Sequence, residues 1–284
     1  MEDTIVDPLA ETAEALLRHP EFDRVARIYV GNIVQWRRSL GLLNRVTTDA
    51  ALHIVYFCVL LHFRQTPKDS ATFTNLLAIC ETRQHCGSRA LRTVLAALTV
   101  TGYLHVRLAE GDKRIKVFVP SQNVLDHIRR HLALTLGCLD ILIGEERYGS
   151  RMMQEPAFLH ELMASAGTPY LDLGLTVTEQ VPELQSLLQL RGGHLTAAAL
   201  ADSHLNGAAI PTSKAVAREF HVSASQIRNV LAEAQTLGLI TYEPSGSVTQ
   251  VRPLVAQMRA VLARELALYA KYGLGLEKEL CARW

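Results

Sequence analysis

The sequence lacks the features that would place it in several common functional classes. No Cys-x-x-Cys spacing occurs, and the five cysteines, Cys58, Cys80, Cys86, Cys138 and Cys281, are scattered without a nearby histidine pair suited to zinc. An odd, dispersed set gives no disulfide framework and fits a reducing compartment, so the expected location is the cytoplasm. Apolar runs are short: residues 54–61 form the longest, well under the roughly 20 residues a membrane span requires, and read as a buried helix. No membrane association is expected. The opening MEDTIVDPLAETAEALL has no basic flank followed by an apolar stretch of about 7 to 15 residues, so no signal peptide is expected. Charge of one sign is missing too, since 29 Lys and Arg stand against 28 Asp and Glu. Nucleophile elbow, phosphate loop, HExxH motif and paired carboxylates are all absent, and Arg191-Gly192-Gly193-His194 is too short for a phosphate cradle. The glycines there read as a helix boundary. The expectation is a protein without catalytic residues, metal ligands or cofactors.

What is present is the composition of an ordinary folded chain, 49% hydrophobic and 20% charged over 284 residues, long enough for two domains. An internal repeat organises it. His85-Cys86-Gly87-Ser88-Arg89-Ala90-Leu91-Arg92-Thr93-Val94-Leu95-Ala96, followed by Gly102-Tyr103-Leu104, lies over His221-Val222-Ser223-Ala224-Ser225-Gln226-Ile227-Arg228-Asn229-Val230-Leu231-Ala232, followed by Gly238-Leu239-Ile240, at a constant offset of 136. The same offset pairs Pro20 with Pro156 and Phe22 with Phe158, while Val119-Pro120 matches Arg252-Pro253 at 133, as though the second copy had a loop three residues shorter. Two units follow, 1–148 and 149–284.

Each unit reads as the same series of elements. In the first, apolar periodicity predicts scaffold helices at 22–43 and 47–64, with Thr47 or Thr48 as a cap, a short helix at 74–81, a turn at 83–87 and a helix at 88–101 stopped by Gly102. Strands at 103–108 and 115–119 around a turn at 110–113 make a two-stranded wing. The second unit gives helices at 213–220 and 224–237 around a turn at 221–223, then Gly238, strands at 239–242 and 248–252, and a turn at 244–247. Closing helices are expected near 121–143 and 253–272. The fold class is therefore mainly α with small β-wings, as two tandem winged helix-turn-helix units.

This order of elements points toward DNA. Gly102 and Gly238 sit where a helix must turn sharply into a strand, which suits a residue that accepts positive φ. The helix before each glycine has a width suited to the major groove, about 12 Å across. On the first, Leu91, Val94, Leu95 and Leu98 form an apolar stripe, leaving Ser88, Arg89, Arg92 and Thr93 on other faces; on the second, Ile227, Val230, Leu231 and Ala234 form it, leaving Ser223, Ser225, Gln226, Arg228 and Asn229. Arg, Gln and Asn are the side chains that read base edges in bidentate fashion. Charge is concentrated in the same segments: nine Lys or Arg against three acids over 83–130, and six against three, Lys214 among them, over 212–264. Lys113, Arg114 and Lys116 make the first wing fit for phosphate, whereas the second wing, Glu243 to Ser247, carries no basic residue and offers only Ser245 and Ser247.

Ser88-Arg89-Ala90-Leu91-Arg92, Leu95, Leu98, Gly102-Tyr103-Leu104 and Asp112-Lys113-Arg114 together resemble the MarR-type winged-helix bacterial transcription regulators. The resemblance covers about residues 47–143 and, more weakly, 183–272. It implies groove or phosphate contacts for Ser88, Arg89 and Arg92, and a wing-tip contact for Arg114. Those regulators are usually dimers with one winged helix per chain, so two in one chain imply a covalent pseudo-dimer, with a homodimer as the other arrangement.

Other readings stand beside this one. His53 and His62, nine apart, read as partly buried side chains, and His127 and His131 share i, i+4 spacing but sit beside Arg129 and Arg130, which disfavour a cation. Cys80 and Cys86 flank the first helix-turn-helix turn and read as small core residues, with a redox switch as the sharper alternative. Trp36, Trp284, Tyr148 and Tyr170 suit either packing or a pocket for a small-molecule effector. As whole-protein alternatives there remain a plasmid-type replication initiator and a tandem winged-helix module that binds proteins. Exposure of Arg89, Arg92, Lys113, Arg114 and Arg228 discriminates, since a protein-binding module would bury or pair them or show an apolar patch.

Overall fold

The computed structural model describes residues 7–40, 49–64, 70–83, 85–109, 112–178, 180–243 and 247–283. The first half runs α1 (Ala10–Arg18), α2 (Phe22–Leu40), α3 (Asp49–Arg64), α4 (Phe73–Thr82), α5 (Ser88–Val100), β1 (Leu104–Leu108), β2 (Lys116–Pro120) and α6 (Gln122–Ile143). The second runs α7 (Tyr148–Gln154), α8 (Pro156–Asp172), α9 (Pro182–Gln189), α10 (Gly193–Leu205), α11 (Ser213–Glu219), α12 (Ala224–Thr236), β3 (Thr241–Tyr242), β4 (Val248–Gln250) and α13 (Arg252–Leu268), then a π-helical turn, Tyr269–Gly273, and α14 (Glu277–Arg283). The protein is mainly helical, with two antiparallel two-stranded sheets, β1 with β2 and β3 with β4.

Local chemistry accounts for the helix starts. Thr72, Ser121, Thr212 and Ser223 each accept a backbone N–H from the first turn of α4, α6, α11 and α12, satisfying one of the four donors a helix start leaves unpaired. The run 54–61 is a buried helix segment, with Ile54, Phe57, Cys58, Val59 and Leu60 all at 0% exposure. Gly192, with φ 86°, caps α10, which begins at Gly193, so that glycine pair marks a helix boundary. Two expectations are corrected. The second hairpin is shorter than its sequence suggests, because Val251 and Arg252 belong to the start of α13. Pro120 ends β2, whereas Pro253 lies in the first turn of α13, where its missing N–H has no partner to lose. Val119-Pro120 and Arg252-Pro253 therefore do not occupy equivalent places. Thr47, Thr48 and Trp284 lie outside the described residues.

The halves interlock. One continuous cluster of buried residues runs from Leu9 to Leu280, and the expected boundary after 148 falls inside α7, which packs on α6. Across the halves α1 packs on α13, α2 on α10 and α3 on α8. Polar links join them as well: Arg37 Nε donates to His194 Nδ1 at 3.1 Å, the Tyr29 hydroxyl donates to Glu265, and Arg64 and Arg38 pair with Asp172 and Glu219 at 2.7 Å each. Partly exposed ion pairs contribute about 0–1 kcal/mol each, against about 1.5–3 kcal/mol for each fully buried large apolar side chain, so apolar packing dominates the joint. Among the described residues no helix is long and apolar enough to cross a membrane.

Candidate nucleic-acid interface

Two segments present exposed polar helix faces beside a hairpin. In the first, the chain leaves α4 at Arg83, turns through Gly87 and enters α5. Leu91, Leu95 and Leu98 are buried and Val94 half-buried, so the apolar stripe faces the core and Arg89, Arg92 and Thr93 face outward. Ser88, at the first position, is partly buried. Thr93 donates its hydroxyl back to the Arg89 carbonyl at 3.1 Å, and the Arg92 guanidinium lies 4.4 Å over the ring of Phe73 on α4. Arg92 is thus not free to extend toward a partner without leaving this ring, although its side chain remains exposed. Arg89 carries no partner among the described residues.

The α5 helix ends at Thr101, and Gly102 takes φ 74°, as the sharp turn into β1 demands. Hairpin β1–β2 pairs His105 with Val119 and Arg107 with Val117. A further bridge, Thr72 to Val117, anchors β2 to the chain before α4. Lys113 and Lys116 are exposed. Arg114, 91% exposed, bends back to chelate Asp112, with Nε to Oδ1 and Nη2 to Oδ2 both 3.1 Å, and this hydrogen bonding lowers the Asp112 pKa. The wing-tip arginine is therefore paired with its own neighbour. Glu110 and Gly111 lie outside the described residues. Val106, Leu108 and Ile115, at 42–48% exposure, make the hairpin surface more apolar than its charge suggested.

In the second segment Ile227, Val230, Leu231 and Ala234 are all buried, and Ser225, Arg228 and Asn229 are exposed. Gly238, at φ 71°, makes the turn that Gly102 makes in the first segment. Ser223 caps α12 through the Gln226 N–H at 3.1 Å and lies 3.1 Å from the Ser225 hydroxyl. Gln226 departs from expectation: its Nε2 donates to the Arg191 carbonyl at 2.9 Å, tying α12 to the turn before α10. Lys214 is exposed on α11. Two shallow grooves flank the first turn of α12, one of about 400 Å³ between Lys214, Arg218 and His221, the other of about 330 Å³ along Arg191, Ser225 and Asn229. His221 closes the α11–α12 turn with φ 57°, the one non-glycine positive φ among the described residues. Sequence reasoning missed Arg191 and Arg218 at these grooves, because neither lies on α12; Arg191 arrives through the turn that Gln226 holds. Pro244, Ser245 and Gly246 lie outside the described residues, and Ser247 is exposed.

Tyr148 and Tyr170 are buried, and the Trp36 ring lies among His127, His131 and His194 at centroid distances of 5.5–6.4 Å. His53 stacks on His85 at 4.5 Å. Among the described residues no group of three or more His, Cys, Asp or Glu side chains is placed to hold a metal ion. In comparisons with family models, with curated proteins and with solved structures, none matches this chain.

Proposed function

We propose that the chain is a sequence-specific double-stranded DNA-binding transcriptional regulator, built from two winged helix-turn-helix units of one internal repeat and akin to MarR-type regulators. One observation carries this reading. Helices α5 and α12 are both 13 residues long, their buried positions coincide at the offset of 136 (Leu91 with Ile227, Leu95 with Leu231, Leu98 with Ala234), and each ends in a positive-φ glycine leading to a hairpin. A stripe of core residues repeated in register leaves the opposite face repeated in register too. On that face Arg92 corresponds to Arg228 and Thr93 to Asn229, side chains whose donors and acceptors match base edges and phosphates.

The units have different work. The first supplies charge, through Arg89, Lys113 and Lys116 with Arg114 in reserve; the second supplies hydrogen-bonding side chains around α12. Contacts of the first kind position the protein and contacts of the second kind specify sequence. Because apolar packing joins the halves, a single chain acts as a pseudo-dimer reading two half-sites about one helical turn apart. The test is selection from random duplex pools at two salt concentrations. The expected result is an enriched motif whose binding weakens with salt, loses base preference in Arg228→Ala and loses affinity in the pair Arg89→Ala, Arg92→Ala. No enrichment and no binding at low salt refutes the reading.

A protein-binding module is the second reading, and particular observations favour it. Arg114 is paired with an acid, Arg92 covers an aromatic ring, and Val106, Leu108 and Ile115 are exposed on the same hairpin. Loss of a protein partner, with DNA binding absent, in Val106→Ser or Leu108→Ser would support it over the first.

A further inference from the structure

We propose that Cys80 and Cys86 form a redox-active dithiol that closes to a disulfide across the turn between α4 and α5. The backbone brings them together. After the last turn of α4 the Arg83 N–H donates to the Ile79 carbonyl at 3.1 Å and the His85 N–H to the Cys80 carbonyl at 2.9 Å, folding the chain back over the helix end. Residue 86 follows directly on His85 and so lies at the end of α4 that Cys80 occupies, and the two thiols are close enough to perturb each other's titration. The two differ in access: Cys80 is fully buried, whereas Cys86 is partly exposed. One thiol meets an oxidant from solvent and the other waits behind it, the arrangement of an attacking and a resolving cysteine. Cys58 on α3 also lies near Cys80, but deep in the core.

The oxidant is a hydroperoxide. The Cys86 sulfur attacks the distal peroxide oxygen, the O–O bond breaks, an alcohol leaves with the thiol proton, and Cys86 holds a sulfenic acid. The Cys80 sulfur then attacks the Cys86 sulfur; the S–S bond forms, the S–O bond breaks, and hydroxide leaves with the Cys80 proton as water. Each sulfur loses one electron and the peroxide gains two. Burial raises both thiol pKa values, Cys80 up to about 12, so little thiolate is present at neutral pH and closure is slow, needing sustained exposure to the oxidant.

Closure acts on α5. A disulfide of about 2.0 Å is shorter than any non-bonded contact between two sulfurs, so residue 86 is drawn toward α4 and carries with it Gly87, the N-cap of α5. Arg89 follows in the first turn. That this movement alters duplex binding rests on the reading of α5 given above; the dithiol itself does not.

The experiment uses the reduced full-length protein treated with hydrogen peroxide, alkylated and digested with trypsin without reductant. Cleavage after Arg83 and Arg89 puts the cysteines on separate peptides, 69–83 and 84–89, which stay joined only through a disulfide. The expected product is that joined pair, lighter by two hydrogens, abolished in Cys86→Ser and in Cys80→Ala, retained in Cys58→Ala and reversed by dithiothreitol. A Cys86 sulfinic acid with Cys80 still alkylatable, or a Cys58–Cys80 link in its place, overturns the proposal. Duplex binding is measured in parallel, with a reversible shift of about fivefold or more expected on oxidation. A linked pair in a protein that binds no duplex in either state supports the dithiol and sinks the DNA reading; a linked pair with unchanged affinity overturns control of α5.

Discussion

Glu265 gives the sharpest quantitative test of how the halves are joined. It lies on α13 with its side chain 14% exposed, accepts a hydrogen bond from Tyr29 on α2, and stands 3.9 Å from His131 on α6. Burial pushes its carboxyl up from 4.5 to about 7, and the Tyr29 bond only partly opposes that. The unfolded chain releases this proton near pH 4.5 and the folded protein holds it to about 7. The stabilising effect of the neutral carboxyl is therefore complete below about pH 4.5 and is lost as pH rises through 7. At about 1.36 kcal/mol per pH unit the interval corresponds to roughly 3 kcal/mol, an upper figure for a site in which Tyr29 and His131 can adjust. His131 works in the opposite direction: burial holds its pKa down at about 4, so its contribution is present above about 6.5 and falls away toward acid, with part of the effect screened because the ring is 36% exposed. In the wild type the two slopes oppose each other between pH 4.5 and 6.5. Glu265→Gln keeps the shape and the acceptor oxygen and removes the titration. Urea unfolding of both proteins from pH 4.5 to 8 should show the variant gaining on the wild type by up to about 3 kcal/mol as pH rises, the titrations of groups remote from residue 265 cancelling in the difference. Parallel stability curves across that range would show that Glu265 ionises as an ordinary surface carboxylate does and that the argument from burial is wrong.

Further outcomes follow from single positions. Gly102→Ala and Gly238→Ala meet no neighbouring atom but must hold φ near 70°, so each should cost about 1–2 kcal/mol in urea unfolding, with no loss at all counting against the turn geometry. Gly193→Ala is different in kind: its Cβ would lie 1.9 Å from the Leu187 carbonyl oxygen, backbone that has no rotamer to change, and thermal denaturation should show about 1–3 kcal/mol lost or a shifted α9–α10 junction. Asp112→Ala should leave the melting temperature unchanged while releasing Arg114, and the expected readout is tighter non-specific duplex binding with a steeper salt dependence. Arg228→Ala should lose about 1–3 kcal/mol of base discrimination with unaltered stability, measured on matched and mismatched sites.

The elements were legible where one physical signal acted alone. Helix-period stripes such as Leu91, Leu95, Leu98 and Ile227, Leu231, Ala234 set the faces of α5 and α12, and the two glycines after them set the hairpin starts, because positive φ leaves few other residues to choose from. The joint between the halves was not legible. Nothing in the spacing of Arg37 or Tyr29 announces His194 or Glu265 as a partner, 157 and 236 residues away, since such contacts depend on how helices pack and not on their period. Helix α1 carries too short an amphipathic run to stand out in sequence, although Ala13 and Leu16, with Leu9 at its N-cap, are buried. Side-chain direction at the candidate interface was also beyond sequence. Arg92, Arg114 and Gln226 all sit where their element placed them, yet each spends part of its bonding capacity inside the protein, on Phe73, Asp112 and the Arg191 carbonyl.

Those three internal contacts bear on how binding would proceed. A side chain already held by a solvent-accessible carboxylate, or by a ring at the edge of the core, surrenders little on exchanging that contact for a phosphate, because solvent reaches the original pair. On the proposed function, Arg114 and Arg92 would therefore reach phosphate at small cost, and encounter through the first unit would be fast and salt-sensitive. Gln226 differs, since releasing it would leave the Arg191 carbonyl without its donor and loosen the turn that sets α10 against α12. It belongs to the scaffold, and on the proposed function Asn229 and Arg228 are the side chains left to read bases. Gln226→Ala should accordingly lower stability and weaken all sequences alike, whereas Asn229→Ala should spare stability and alter preference at one position. Finding the reverse would mean that Gln226 leaves Arg191 on binding, and that the turn before α10 is a moving part of the recognition surface.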